Sequence, residues 1–269
     1  MLWIFLFLNC GSKAFYKRLF KTNTINFLNK KSIGIVGFGP FAQFIAPHLK
    51  QYFEIWAWNR SDQSKIAQEL GVRYVSLKEV LSQEIIILCT SANFFEDFLV
   101  ENSLYINPNA LVIDVASIKM RPTELMLKYL PSTCKIIGTH PLFGPQSGKY
   151  GIKGLNMVIC PVRGDVWRIL AFLERVLKLN VMVRTPEEHD KEMAYVQALT
   201  HFVGRALSQM QIPDLEQKTK AYQHLLDIKM LLGNDSFELF KVIENHNPYA
   251  KEVRESFISE LASLEKKLL

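Results

Sequence analysis

From residue 32 to about residue 184, short β-branched apolar runs alternate with longer amphipathic stretches. Ser32–Gly37 is such a run, and a helical pattern follows it to about Lys50. Pro47 interrupts that pattern, and a proline deep in a helix costs about 3 kcal/mol, so the helix should kink or end early. Glu54–Asn59 reads as a second strand, and Ser61–Leu70 as a helix capped by Ser61 or Asp62. Glu84–Thr90 is almost uniformly apolar, as a strand buried on both faces should be. Further strands are predicted at Ala110–Val115, Lys135–Thr139, Asn156–Cys160 and Asn180–Arg184. Helices are predicted between them at Asn93–Glu101, Lys119–Tyr129 and Asp165–Lys178. Strands alternating with helices build an α/β fold with a doubly wound, mostly parallel sheet.

After Pro186 the alternation stops. Glu187–Gln211, Leu215–Leu232, Ser236–Glu244 and Tyr249–Leu268 all read as helices. About eighty helical residues cannot easily bury a large core alone, so they should pack on a partner subunit as well as on the first domain. The organisation predicted is an extension over residues 1–31, a dinucleotide-binding domain over 32–185 and an all-helical domain over 186–269.

The net charge of +6 invites a nucleic-acid reading until it is located. No Asp or Glu precedes Glu54, whereas seven Lys or Arg fall before it, leaving 25 basic against 26 acidic residues beyond. The body therefore offers no general polyanion surface, and nucleic acid is excluded as a partner. Four cysteines without CxxC spacing predict no structural metal and a reduced compartment. Met1–Leu8 is too short to span a bilayer, so no stable membrane insertion is expected. Positive charge follows this run rather than preceding it, unlike a secretory signal. A cytoplasmic protein is expected; organelle targeting through the acid-free residues 1–31 is the alternative, although they are neither Arg-rich nor Ser-rich.

Gly37-Phe38-Gly39-Pro40-Phe41-Ala42 matches GxGxxA directly after a strand and opening a helix, the dinucleotide fingerprint of Rossmann-type domains. Gly37 permits the tight turn, Gly39 lets a pyrophosphate approach, and Ala42 lets the helix pack closely on its strand. At the tip of the second strand, Trp58-Asn59-Arg60-Ser61 offers a guanidinium and a hydroxyl, and no carboxylate before Asp62. Such a tip suits the 2′-phosphate of NADP, with NAD as the alternative cofactor. His140 opens a Gly/Pro-rich loop at a strand's carboxyl end, where doubly wound folds bind ligands, and Ser117 follows another strand end on the same rim. Gln197, His201 and Arg205 are spaced i, i+4, i+8 and form a polar stripe among apolar neighbours. The stripe is either a carboxylate-binding wall or an internally satisfied hydrogen-bond network.

GFGPFAQF, LCTS, DVASIK, THPLFGPQSGK and QALTHFVGR, in this order, resemble the prephenate/arogenate dehydrogenases, most closely the plant-type arogenate enzymes. The similarity covers about residues 32–245. It implies a Rossmann domain joined to a helical dimerisation domain, a homodimer, and oxidative decarboxylation of arogenate or prephenate in tyrosine biosynthesis. By the resemblance His140 is the catalytic histidine and Ser117 the serine that orients the substrate hydroxyl. Cofactor contacts fall on Gly37, Phe38, Gly39, Phe41, Arg60, Ser61, Thr90 and Ser91, and substrate contacts on Ser147, Gln197, His201 and Arg205.

The two substrates differ in the side chain, a ketone in prephenate and an ammonium in arogenate. Lys229–Phe237 lacks the arginine of many prephenate-using relatives, and Asp235 falls where plant-type enzymes carry an acidic residue. A carboxylate there would pair with an ammonium; its ordinary alternative is to cap the helix beginning near Ser236. A prephenate-specific enzyme, a reductase for another hydroxy acid and a non-catalytic NADP-binding protein are the competing readings.

Overall fold

The structure, a computed structural model, describes residues 31–232 and 236–269. Eight strands form one sheet: β1 (Ser32–Val36), β2 (Glu54–Trp58), β3 (Arg73–Tyr74), β4 (Ile85–Leu88), β5 (Leu111–Asp114), β6 (Lys135–Pro141), β7 (Asn156–Arg163) and β8 (Asn180–Val183). Their spatial order is β3-β2-β1-β4-β5-β6-β7-β8. Every neighbouring pair is parallel except β6 and β7, so the last two strands run against the rest. The two-residue β3 carries little sequence signal and was absent from the prediction.

The sheet is buried on both faces, and the sequence shows why. Along β4, Ile85 and Ile87 point into one core with Ile33, Ile35 and Ala42, while Ile86 and Leu88 point into another with Phe95, Leu99 and Met126. Alternate residues of an extended chain face opposite sides, so an all-apolar run fills two layers at once.

The flanking helices are α1 (Pro40–Leu49), α2 (Ser64–Leu70), α3 (Leu77–Leu81), α4 (Ala92–Asn102), α5 (Met120–Tyr129) and α6 (Trp167–Ala171), which continues as a π turn to Val176. Two local expectations are corrected. Helix α1 contains Pro47 yet runs on to Leu49, closed on the core through Ile45, Ala46 and Leu49. Helix α2 starts at Ser64 rather than Ser61, because the Asp62 carboxylate accepts the Ser64 N–H at 2.9 Å in a turn of its own. The short α3, not predicted, opens on a capping box between Ser76 and Glu79.

The helical remainder begins at α7 (Pro186–Met193), whose Thr185 and Glu188 form a second capping box with Pro186 in the first turn. A π segment, Ala194–Leu199, joins it to α8 (Thr200–Gln209), followed by α9 (Lys220–Leu232), α10 (Phe237–His246) and α11 (Ala250–Lys266). Ala198, Ile243 and Ala250 form only a small core here, while Met230, Leu231, Ile258, Leu261 and Leu264 stay exposed.

Candidate active site

Strand order reverses between β1 and β4, and the carboxyl ends of the strands on either side of that point make the crevice of a doubly wound sheet. Gly37 turns the chain out of β1 with φ +89°, a region that favours glycine, and its N–H donates to the Trp58 carbonyl at 2.9 Å. A Cβ there would lie 2.7 Å from the Cys89 carbonyl oxygen, so the turn closes tightly on the end of β4. At Gly39 a Cβ would meet nothing within 4 Å, which leaves open space over the N-terminus of α1. The helix is ten residues long, and its first N–H groups point into that space. Across the crevice, the Thr90 hydroxyl is buried with no hydrogen-bond partner, and Ser91 begins α4 without spending its side chain on the cap. Open space, oriented N–H groups and an orphaned hydroxyl fit a dinucleotide pyrophosphate. Phe41 is half-buried against the core below. Phe38 is wholly buried; its N–H donates to Asn59 Oδ1 at 3.0 Å and its carbonyl accepts from Gln43. It braces the turn and presents no side chain to the rim, so a contact from Phe38 to a cofactor would be one of its backbone.

The tip of β2 is organised by Asn59, which holds the glycine turn through Phe38 and donates to the Ser61 hydroxyl at 2.9 Å. Arg60 is exposed, with its guanidinium carbon 4.6 Å above the Phe94 ring, so it is stacked rather than freely solvated.

The catalytic candidates gather at the ends of β5 and β6. Ser117 lies half-buried on the loop after β5, and His140 lies near the end of β6, 5% exposed. Lys119, fully buried, pins both strand ends: its ammonium pairs with Asp114 of β5 and donates to the carbonyl of Thr139 at 2.7 Å. The Thr139 hydroxyl donates back to the Asp114 carbonyl at 2.6 Å. His140 Nδ1 lies 2.9 Å from His189 Nε2, and His189 Nδ1 lies 2.7 Å from Asp190 Oδ1. Burial, then the neighbouring His189 and Lys119, hold the His140 pKa well below its usual value. The imidazole is therefore neutral at physiological pH.

The helical side contributes Gln197, His201 and Arg205. Gln197 sits in the π segment with its Oε1 buried and unpartnered, His201 is buried on α8, and the Arg205 guanidinium lies 5.3 Å over the Phe240 ring. Asn93 of α4 reaches Glu238 of α10 at 3.4 Å, so α10 approaches the cofactor side of the crevice. Ser147 is exposed, and its hydroxyl accepts the Gly144 N–H at 3.0 Å within the loop. Asp235 lies outside the described residues; the cap of α10 is Ser236, which accepts the Leu239 N–H at 3.1 Å. A surface cavity of about 460 Å³ lined by Ser208, Asp214, Gln223 and Asp227 belongs to α8, α9 and the connection between them, and holds none of the predicted residues.

Sequence reasoning missed Lys119, His189 and Asp190 as members of the site. The signal was available for the last two: along α7 and the π segment, positions 189, 190, 193, 194, 197 and 198 make one helical face, and its apolar members are buried. A His-Asp pair on the buried face of an otherwise charged helix must have partners inside.

A family model described as prephenate dehydrogenase, nucleotide-binding domain, matches residues 49–179, beginning after the glycine turn. A second, described as TYRAAT1-like, C-terminal domain, matches residues 206–269. Arogenate dehydrogenase 2, chloroplastic, of Arabidopsis thaliana is 33% identical over 248 residues, covering 88% of this chain and 69% of the relative. Arogenate dehydrogenase 1, chloroplastic, of the same plant is 35% identical over 259 residues, which are 92% of this chain but only 40% of that relative. Among solved structures, Synechocystis arogenate dehydrogenase aligns with TM-score 0.66 at 20% identity, covering 88% of this chain and 91% of the other. Prephenate dehydrogenase from A. aeolicus, in complex with hydroxyphenyl propionate and NAD+, aligns with TM-score 0.69 at 21% identity, covering 88% and 90%. At these identities the structural matches speak for the fold.

Proposed function

The chain belongs to the prephenate/arogenate dehydrogenase family, and from that premise we propose that it oxidatively decarboxylates arogenate, with prephenate as the alternative substrate, using NADP. The observation that carries the reading is His140: a buried, neutral imidazole at the strand-end rim, with Nδ1 engaged by His189, so that Nε2 is the nitrogen a substrate would use. Bound nicotinamide would take the hydride from the ring carbon that bears the hydroxyl. His140 Nε2 withdraws the hydroxyl proton while Ser117 holds that oxygen in line. When the ring carboxylate leaves as carbon dioxide, His140 Nε2 returns the proton to the oxygen of the newly aromatic ring. Aromatisation makes the sequence irreversible.

On the helical side, His201 and Arg205 receive the substrate's carboxylates, and the orphaned Gln197 Oε1, an acceptor, suits a donor on the ligand such as a hydroxyl or ammonium. NADP is favoured by Arg60 and Ser61 at the β2 tip. Arogenate is favoured by the sequence position of Asp235, where a charge-assisted hydrogen bond to an ammonium is worth about 1.5–3 kcal/mol. Residues 32–185 act as the cofactor domain and 186–269 close the cleft. The exposed Met230, Leu231, Ile258, Leu261 and Leu264 support a homodimer through the helical part, which sedimentation measurements test. Among the described residues no helix is long and apolar enough to cross a membrane. The two Arabidopsis relatives are named chloroplastic; fractionation with and without residues 1–31 separates a cytoplasmic enzyme from an organelle-targeted one.

Steady-state kinetics on both substrates with both cofactors tests the assignment, alongside His140→Asn. Turnover is expected to vanish in that variant while cofactor binding stays nearly intact; normal turnover would overturn the role given to His140.

A further inference from the structure

A general base must present an unprotonated nitrogen to its substrate, and an imidazole has two nitrogens to choose between. The structure contains a device that makes the choice. Asp190 accepts backbone N–H groups at both carboxylate oxygens, Lys119 N at 2.7 Å on Oδ1 and Met120 N at 2.9 Å on Oδ2. A carboxylate so held accepts from its third neighbour too, so His189 donates Nδ1–H to Asp190 Oδ1 at 2.7 Å. In neutral His189 the Nε2 is then the acceptor, and the 2.9 Å contact to His140 Nδ1 places the proton on His140. Nε2 of His140 is left bare. Helix α10 secures this arrangement from outside, because Asn247 at its end donates to the Asp190 carbonyl at 2.8 Å.

We propose that His189, clamped by Asp190, is a positioning residue that fixes the tautomer of His140 and shares the proton His140 takes up; this rests on the reading of His140 as the base. As the substrate hydroxyl proton arrives on Nε2, the Nδ1 proton of His140 moves onto Nε2 of His189, whose Nδ1 proton stays bonded to Asp190. The positive charge then lies beside a carboxylate instead of on His140, where burial and the Lys119 ammonium oppose it. Lys119 itself is matched by Asp114. A merely structural Asp190 would be satisfied by its two backbone N–H bonds; the third runs toward the base.

Nitrogen-15 NMR of the wild-type enzyme, with histidines labelled, reads the tautomer directly. The His140 signal, assigned by its loss in His140→Asn, is expected to show Nδ1 protonated and Nε2 bare; the opposite pattern overturns the proposal. Kinetics then separate positioning from packing. His189→Leu should lower kcat by about 10²-fold or more, within the usual range for a general base, while KM for the cofactor stays unchanged. His189→Gln, whose amide oxygen can still accept from Nδ1, should recover most of that loss. A His189→Leu variant within threefold of wild-type kcat, or equal losses in both variants, overturns the proposal. Should His189→Leu fail to fold, the wild-type spectrum alone decides. If His140→Asn retains turnover, the assignment of the base fails instead, whatever His189 does.

Discussion

Replacing Lys119 by Met removes one ammonium and keeps almost all of the side chain's volume, so the loss isolates charge from packing. Lys119 and Asp114 are both fully buried, and Asp114 Oδ2 has no partner even in the intact protein. Without Lys119, the carboxylate keeps only the Ala116 N–H at 3.0 Å, and the Thr139 carbonyl loses its donor. Breaking a buried pair by removing one member typically costs about 3–5 kcal/mol, because the remaining charge is stranded. For a chain of this size each kcal/mol moves Tm by about 2–4 °C, so a drop of about 6–20 °C is expected. The deficit also has a definite pH dependence. Burial already pushes the Asp114 pKa up, and the Lys119 ammonium opposes this. Without Lys119 the folded pKa rises further above the unfolded value of about 3.9. Such a group contributes stability fully below the unfolded pKa and loses it as pH rises through the folded one. The variant should therefore be further from wild type at pH 8 than at pH 5, and Asp114→Asn added to it should recover much of the loss. Urea melts at the two pH values read this out. A deficit below 1 kcal/mol, or one equal at both pH values with no recovery in the double variant, would refute the reasoning.

Gly37→Ala would place a methyl 2.7 Å from the Cys89 carbonyl at φ +89°. A cost of about 1–3 kcal/mol and weaker cofactor binding by fluorescence titration are expected; unchanged affinity and Tm would remove the turn from the cofactor site. Arg60→Glu should raise KM for NADP by about 10- to 150-fold through loss of a charge-assisted contact, with much less effect on NAD; equal effects on both would assign Arg60 no part in discrimination. Because His140 is held neutral by burial, its folded pKa lies below its unfolded pKa of about 6.5, so its contribution to stability is lost as pH falls below that value. His140→Asn should accordingly flatten the decline in stability between pH 7 and pH 5, and a decline as steep as wild type in urea melts would count against a neutral buried His140.

What the sequence disclosed follows from how locally each feature is encoded. The two-layer core was legible in Glu84–Thr90 because a β-run that is apolar from Ile85 to Cys89 is buried on both faces of a doubly wound sheet. The glycine turn was legible because the positive φ at Gly37 and the close approach it makes admit only glycine, which marks the position in the sequence itself. The placement of Phe38 was not, since a fingerprint records spacing and not which side chain turns inward. The start of α2 slipped because Ser61 is occupied by Asn59 and Asp62 forms a local turn, and both contacts depend on how the β2 tip folds.

The least legible part is the environment of His140, the proposed base. His140 and His189 are 49 positions apart, and Lys119 touches Asp190 across 71. No spacing rule links a loop after β5, the end of β6 and the first turns of α7; the pairing of β5 with β6 joins the first two, and the packing of α7 against α5 and β7 brings the third to them. Each group alone has an ordinary use: a lysine in an ion pair, a histidine next to an aspartate, a carboxylate at a helix start. Their joint geometry changes that, because the donors on Asp190 propagate through His189 to decide which nitrogen of His140 is bare. The motif names the candidate base, whereas its protonation state is a property of the assembled fold. On the proposed role of His140, helix α7 belongs to the chemistry as much as the strand that carries His140 does, and the helical part of the chain is coupled to that imidazole as well as to the substrate it would enclose.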